Sequence, residues 1–191
     1  MAINYTQTDT VSDFDGYEVC AGAYGGGASN SRQASDGGSA GSTPVADTTL
    51  SSGTARHDLV EIHPDAGTTG SSGTWTVRLN VTTGNMNLSI TAVHICRVNS
   101  SGVSQETIGS ATGLSISLSS TGVKSQDVTG SAVTLAAGDL VTIVFTVVNG
   151  AMSNQSFFWT PNQNIDSPFT AAAVEKTPWT PWRQLAPIMA Q

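Results

Sequence analysis

The feature that most constrains the fold of this chain is a repeated alternation of apolar and polar residues. In Trp75–Thr82 every second side chain is apolar, and Met86–Ala92 and Leu114–Ser119 repeat the pattern. Successive side chains of a β-strand point to opposite faces of the sheet, so this alternation indicates half-buried strands. Turn-forming Gly, Asn and Ser residues separate the segments at spacings of roughly 8–14 residues, which is typical of a β-sandwich or jelly roll.

The sequence predicts an all-β fold, with a jelly-roll or β-sandwich body of about eight antiparallel strands. Leu140–Val148 is the most apolar of the predicted strands, which favours a position in the middle of the sheet. Asn149–Gly150 follows it as a two-residue turn signal, and Gln155–Thr160 is predicted as its partner or as the next strand. The other predicted strands cover residues 56–63, 75–82, 86–98, 103–108, 114–119, 123–128 and 133–135.

Composition divides the chain into three parts. Residues 1–55 are rich in Gly and Ser and, apart from a possible short strand at Tyr17–Cys20, contain few large side chains. Such a segment buries too little apolar surface to offset its ordering entropy, so it is predicted to be an N-terminal arm. Residues 56–170 form the predicted β-sandwich domain, and residues 171–191 form a predicted C-terminal arm.

Charged residues are scarce and mostly acidic. They make up 11% of the chain, against about a quarter of an average protein, and the net charge is −7. Binding of nucleic acid requires clustered Lys and Arg, and the 7 basic residues of this chain are scattered singly. The sequence therefore predicts no nucleic-acid partner and no binding to anionic membranes.

The two cysteines and the first residues bear on the cellular compartment. Cys20 and Cys96 are too few and too far apart for a disulfide framework or a zinc site, so buried free thiols are expected, although their pairing is left open. The start MAINYTQTDTV lacks the basic and apolar regions of a secretory signal. No apolar stretch approaches the ~20 residues that span a bilayer. We therefore expect a soluble protein made in a cytoplasm.

No set of residues predicts catalysis or a cofactor. Gly37–Gly41 matches the nucleophile motif G-x-S-x-G, but it lacks the preceding strand and following helix that expose the serine. His57, Glu61 and His63 share one face of a predicted strand and could contribute to a metal site, although a polar outer face also explains them. Four acidic residues lie at predicted turns and are interpreted as turn caps: Asp65, Asp127, Asp139 and Asp166. We expect no catalytic residue, cofactor or metal site, and calcium binding by a loop is left open.

Aromatic residues provide candidates for interaction sites. Trp75 is in phase with Val77 and is expected in the core. Phe157 and Trp159 share one face of a predicted strand, and Phe158 takes the other face. At least one of these faces is expected to meet a partner, so Phe158 and Trp159 are candidate partner-binding residues.

The segment TPWTPW at residues 177–182 is the strongest candidate for partner binding. Each proline holds the preceding threonine in an extended conformation, so the segment is stiff and its two indoles point roughly the same way. Tryptophan and arginine are frequent hot spots of protein interfaces. The candidate partner-binding residues are Pro178, Trp179, Pro181, Trp182 and Arg183. The alternative is that this tail folds back and covers its own sandwich.

Together these features resemble structural proteins of tailed-bacteriophage virions, in particular the jelly-roll decoration or cement proteins of phage heads. The resemblance rests on the MAIN start, the Gly/Ser arm, the Ser/Thr-rich alternating strands, the turn Leu135–Val141 into an apolar strand, and the C-terminal arm. It implies a non-enzymatic protein that binds the major capsid protein or other virion proteins and reinforces the shell. It also implies location in the virion and a homo-oligomer, with a trimer favoured.

Two functions follow as expectations. The first is a capsid decoration protein that binds and stabilises the shell through its arms. The alternative is a phage tail or adhesin-type jelly-roll module that binds a carbohydrate or receptor. An enzyme is not expected, because no nucleophile, base or metal set comes together in the sequence. The sequence leaves open whether the location is head or tail, the oligomeric state, and the identity of the partner or glycan.

Overall fold

The alternating segments form long, paired strands in the computed structural model, which describes residues 2–10, 18–19, 22–23, 31–45, 50–101 and 103–171. No helix among these residues is long and apolar enough to cross a membrane. The strands are β1 (Ala2–Gln7), β2 (Glu18–Val19), β3 (Gly22–Ala23), β4 (Ser31–Asp36), β5 (Ala55–Ile62), β6 (Gly73–Thr83), β7 (Leu88–Val98), β8 (Ser104–Ser117), β9 (Gly122–Gly130), β10 (Leu140–Asn149), β11 (Phe158–Thr160) and β12 (Asn164–Thr170).

Nine of the described strands close into a barrel. Their order is β6-β12-β1-β4-β5-β10-β7-β8-β9, and β9 pairs back to β6. β11 pairs with the end of β6, while β2 and β3 pair with each other in a separate two-stranded sheet. The predicted all-β class is confirmed. The strand pairing is that of a closed barrel of nine strands.

The barrel closes through two junctions that consist of one residue pair each. β9 meets β8 where Gly130 lies opposite Gly109. A Cβ atom at Gly109 would lie 2.6 Å from the carbonyl oxygen of Thr129, so the close approach of these backbones requires glycine. β12 meets β6 where Asp166 lies opposite Thr76. The barrel wall is therefore continuous, but two of its junctions have few backbone hydrogen bonds.

Part of the predicted N-terminal arm belongs to the barrel. β1 lies between β12 and β4, and β4 pairs in parallel with β5 over Ser31–Ala34. Tyr5 of β1 is completely buried. The arm prediction is corrected for β1 and β4, and so is the prediction that all strands are antiparallel. A parallel pair is possible here because residues 37–54 provide the long crossover that parallel neighbours need.

Large apolar side chains fill the barrel interior. Trp75 and Phe169 pack edge to face, with ring centroids 4.8 Å apart and an interplanar angle of 74°. The predicted core position of Trp75 is confirmed, since it is completely buried. The predicted central position of the most apolar strand is also confirmed, because β10 lies between β5 and β7. The largest buried side chains include Trp75, Trp159, Tyr5, Phe145, Phe157 and Phe169.

Several strand boundaries differ from the predicted ones. The predicted strands 103–108 and 114–119 are one strand, β8, which continues through Gly113 at a φ of 67°. Register shifts between β7 and β8 absorb the additional residues as bulges. The turn signal Asn149–Gly150 does not produce a hairpin, because β11 pairs with β6 and not with β10. β12 was not predicted, because Pro168 interrupts its pattern.

Cys96 in β7 is completely buried. It is disulfide-bonded, so the expectation of a free thiol at this position is wrong. That expectation depended on separation along the sequence, which does not limit distance in a fold built from long-range strand pairs. Cys20 lies outside the described residues.

Candidate functional site

Four loops lie together at one end of the barrel, where β5 begins and β10 ends. They consist of residues 51–54, 84–87, 118–121 and 150–156, and we call them the four-loop surface. Hydrogen bonds between the loops hold them as one surface. These bonds are Gly150 N to Asn87 O (2.9 Å), Asn85 N to Leu118 O (2.8 Å) and Ser52 Oγ to Ala151 O (2.6 Å).

The four-loop surface carries no charged residue of its own and exposes two methionines. Its sequence includes no Asp, Glu, Lys or Arg. Met86 is 79% exposed and Met152 is 99% exposed. At the edge, Lys124 of β9 donates a hydrogen bond from Nζ to Ser120 Oγ at 3.0 Å. A protein that binds here would cover hydroxyl, amide and thioether groups, whose desolvation costs far less than that of carboxylates.

A cavity of about 260 Å³ lies at the opposite end, where β5 ends and β10 begins. Two turns, Asp65–Thr68 and Ala136–Asp139, form its walls together with Pro64 and Leu135. In each turn the N–H of the fourth residue donates to the carbonyl of the first, at 3.0 Å and 3.1 Å. The third residue of each turn is a glycine with φ of 81° or 84°, which is the conformation that type II turns require there.

Asp139 closes one of these turns and ties it to β7. Its Oδ2 accepts hydrogen bonds from Ala136 N at 2.7 Å and from Arg97 Nη1 at 2.9 Å. Arg97 Nε also lies 3.3 Å from Glu106 Oε1. The side chain of Asp139 is 6% exposed and that of Glu106 is 47% exposed. Solvent therefore screens the Arg97–Asp139 pair much less than the Arg97–Glu106 pair.

Tyr5 places a buried phenol among the acidic residues of the cavity end. It lies opposite Asp36 in the β1–β4 pair. Burial, and then the negative charges of Asp36 and Asp65, raise the pKa of the Tyr5 phenol far above its usual range. Its hydroxyl oxygen has no hydrogen-bond partner among the described residues. The phenol is therefore neutral in the folded protein at all ordinary pH values.

The structure corrects the role of one predicted aromatic residue. Trp159 is completely buried and its Nε1 donates to Asp58 Oδ1 at 3.4 Å. It cannot contact a partner from this position, because β11 turns its side chain into the barrel. Phe158, on the other face of β11, is half-buried. The other candidates, Pro178, Trp179, Pro181, Trp182 and Arg183, lie outside the described residues.

Two of the polar candidates, Glu61 and His63, contact each other. Glu61 is completely buried, contacts His63 Nε2, and lies 3.4 Å from the donor Gln33 Nε2. The side chain of His57 lies outside the described part of the chain. Within the described residues, no group of three or more His, Cys, Asp and Glu side chains could hold a metal ion. Ser39 of the G-x-S-x-G motif lies in the loop after β4, and no described helix follows it.

Sequence patterns did not reveal the two methionines. The alternation assigns Met86 the same phase as Leu88, which is buried, so it predicts an inward side chain. Met152 lies two residues after Gly150 and belongs to no pattern. The signal that could have identified this surface is the lack of charge in four separate turns that end neighbouring strands.

No protein-family model matches the chain. No curated protein matches it in sequence. Among solved structures, the chain is similar to a CocE/NonD family hydrolase from Staphylococcus aureus, with a TM-score of 0.40 and 11% identity. The similarity covers 90% of this chain and 35% of the hydrolase, so the chain spans about a third of that protein's length. A similarity this weak does not bear on fold or function.

Proposed function

We propose that this chain is a non-enzymatic structural protein of a tailed-phage virion, which binds a capsid shell as a decoration or cement protein. The observation that carries the proposal is the four-loop surface. Met86 and Met152 expose nearly their whole side chains there, on loops without charge. Methionine adapts to irregular partner surfaces, and exposed apolar groups beside neutral polar ones suit a contact between proteins. The partner is the major capsid protein or another virion protein that presents an uncharged, partly apolar area.

We propose also that the barrel is a variant of the jelly roll. The two junctions of one residue pair divide its wall into a small sheet, β6, β9 and β11, and a larger sheet of the other barrel strands. Trp75 from the small sheet and Phe145 from the larger one are both buried in the core. Two sheets that share one apolar core are the arrangement of a jelly-roll sandwich.

The disulfide bond of Cys96 supports a location outside the cytoplasm in the finished particle. Disulfides persist in oxidising surroundings and are rare in reducing cytoplasm. On this proposal, the chain is made in the host cytoplasm and its disulfide forms when virions are released. The proposed assembly is a homo-oligomer, with a trimer favoured. The net charge of −7 supports neither a nucleic-acid nor a membrane partner.

The proposal is tested by co-sedimentation of the purified chain with isolated shells. The double variant Met86→Asp, Met152→Asp places two carboxylates where the partner would bury them unpaired. We expect its affinity for shells to fall by at least roughly 30-fold, as for the loss of an interface hot spot. Val103→Asp is the matched control, since Val103 is 45% exposed at the other end of the barrel. Equal binding by all three proteins, or equal loss in both variants, would contradict the proposal.

The alternative is a tail or adhesin-type module that binds a carbohydrate or a receptor. Burial of Trp159 removes one of its predicted contacts, and the half-buried ring of Phe158 is the aromatic surface that supports it. A glycan array with the wild-type chain and Phe158→Ala distinguishes the two functions. Glycan binding that depends on Phe158, without binding to shells, would favour this alternative.

A further inference from the structure

The cavity lies beside the point where the C-terminal segment leaves the barrel. Thr170, at the end of β12, exchanges two backbone hydrogen bonds with Thr69, at 2.9 Å and 3.0 Å. Thr69 directly follows Thr68, which lines the cavity. Residues 171–191 therefore begin at the rim of the cavity.

The lining of the cavity is complementary to side chains of that segment. Small apolar side chains and Leu135 lie next to the carboxyl-bearing residues Asp65 and Asp139. The segment carries Trp182 directly before Arg183. An indole combines a large apolar surface with one N–H donor, and a guanidinium pairs with carboxylates. A cavity of about 260 Å³ is smaller than the ~300–1,000 Å³ of typical ligand sites, so it suits one large side chain.

The sequence before the tryptophans favours the cavity of a second copy over the segment's own cavity. Ala171–Thr177 contains no Gly, Asn or Asp, which are the residues that best support a tight reversal of the chain. Pro178 and Pro181 then favour extended backbone at the threonines before them. Neither sequence feature favours a return to the cavity beside which the segment begins, so the cavity of a second copy is the expected docking site.

We propose that the cavity between Asp65–Thr68 and Ala136–Asp139 is a docking site for the C-terminal segment of a second copy of this chain. Trp182 fills the cavity and Arg183 contacts the exposed carboxylate of Asp65. The inference deepens the proposed assembly role by naming the contact between copies. It is tested on the isolated chain without shells, so a failure of docking and a failure of shell binding are separate results.

The first test is photo-crosslinking in the full chain. Trp182 is replaced by p-benzoylphenylalanine, and ¹⁵N-labelled and unlabelled chains are mixed before irradiation and peptide mass spectrometry. We expect crosslinked pairs of one labelled and one unlabelled peptide, joining position 182 to residues 64–68 or 135–139. Crosslinks confined to one chain, crosslinks to other surfaces, or no crosslinks would overturn the inference.

The second test is sedimentation of the full chain over a range of concentrations. Trp182→Ala should weaken self-association by about 30-fold, as expected for truncation of an interface tryptophan. Gln184→Ala is the matched control in the same segment and should leave it unchanged. Ala137→Phe reduces the space in the cavity and should weaken association as well, with near-UV circular dichroism confirming its fold. Unchanged association of Trp182→Ala, or of a correctly folded Ala137→Phe, would overturn the inference.

Discussion

The substitution Tyr5→Phe should stabilise the protein, which is unusual for a change at a completely buried position. Tyr5 belongs to β1 and its hydroxyl has no hydrogen-bond partner among the described residues. The substitution removes this buried oxygen and keeps the ring that packs in the core. Tyr5→Ala, in contrast, removes the ring itself and leaves a cavity between β12 and β4.

The two variants should therefore have opposite signs. A buried polar group without a hydrogen bond costs about 1–3 kcal/mol, so Tyr5→Phe should raise the free energy of unfolding by about 1 kcal/mol. Tyr5→Ala should lower it by about 3–5 kcal/mol, as for other large aromatic residues in cores. For a chain of this length, 1 kcal/mol corresponds to a change of roughly 2–4 °C in Tm.

The pH dependence provides an independent check of the same reasoning. The folded-state pKa of the Tyr5 phenol is raised, whereas in the unfolded chain the phenol ionises with a pKa of about 10. Above that pH the unfolded state has released a proton that the folded state retains, so stability falls as pH rises. Urea unfolding followed by circular dichroism should show a gap between Tyr5→Phe and wild type that widens from pH 8 to pH 11. A destabilised Tyr5→Phe variant, or a gap independent of pH, would refute the reasoning.

Three further predictions concern other parts of the barrel. Asp139→Ala should lower the free energy of unfolding by about 3 kcal/mol, because it leaves the partly buried Arg97 without its closest carboxylate. Glu106→Gln should change the free energy of unfolding by less than about 1 kcal/mol in the same urea experiment, because Glu106 is much more exposed. Mass spectrometry of the unfolded chain should show no alkylation by iodoacetamide before reduction and two alkylated cysteines after it. The reason is that Cys96 is disulfide-bonded and the chain has 2 cysteines. Burial holds the pKa of His94 below its usual range, so the unfolded state binds a proton more readily and stability should fall as pH drops below about 6.5. His94→Gln should lose this part of the pH dependence, and an NMR titration of His94 that gives an ordinary pKa would contradict the prediction.

The strands that could be predicted are those whose two faces differ in polarity. β6 and β9 follow period two, and the burial pattern of β6 alternates as the sequence indicates. β4 was missed because its inward residues are Arg32 and Ala34, which do not form an apolar pattern. β1 was missed because the composition of the following residues dominates the first part of the chain. The pairing partners could not be predicted, because the parallel pair β4–β5 and the β6–β9 pair are set by the whole barrel and not by local turns.

The candidate sites were harder to predict than the strands, for a similar reason. The apolar–polar pattern separates inside from outside only within a strand, and both sites consist of loops. Trp159 shows this limit. Its aromatic side chain suggested a residue that contacts a partner, but in β11 it lies on the face that points into the barrel, so it is buried. Met86 shows the converse, because it continues the phase of a buried strand but lies in the loop before β7. Exposure of these residues depends on where each strand ends, which the sequence pattern determines poorly.

The two sites lie at opposite ends of the same strands, and their charges differ. The four-loop surface has no charged residue, whereas Asp36, Asp65, Glu106 and Asp139 lie at the cavity end. Copies that carry a net charge of −7 repel one another, so close contacts are most favourable at a neutral surface or where a basic group reaches an acidic one. In the proposed arrangement, a copy bound to a shell through its neutral end would keep its acidic end accessible to Arg183 of a neighbour. Raised salt should therefore weaken the proposed contacts between copies more than the proposed contacts with the shell, because only the former depend on opposite charges.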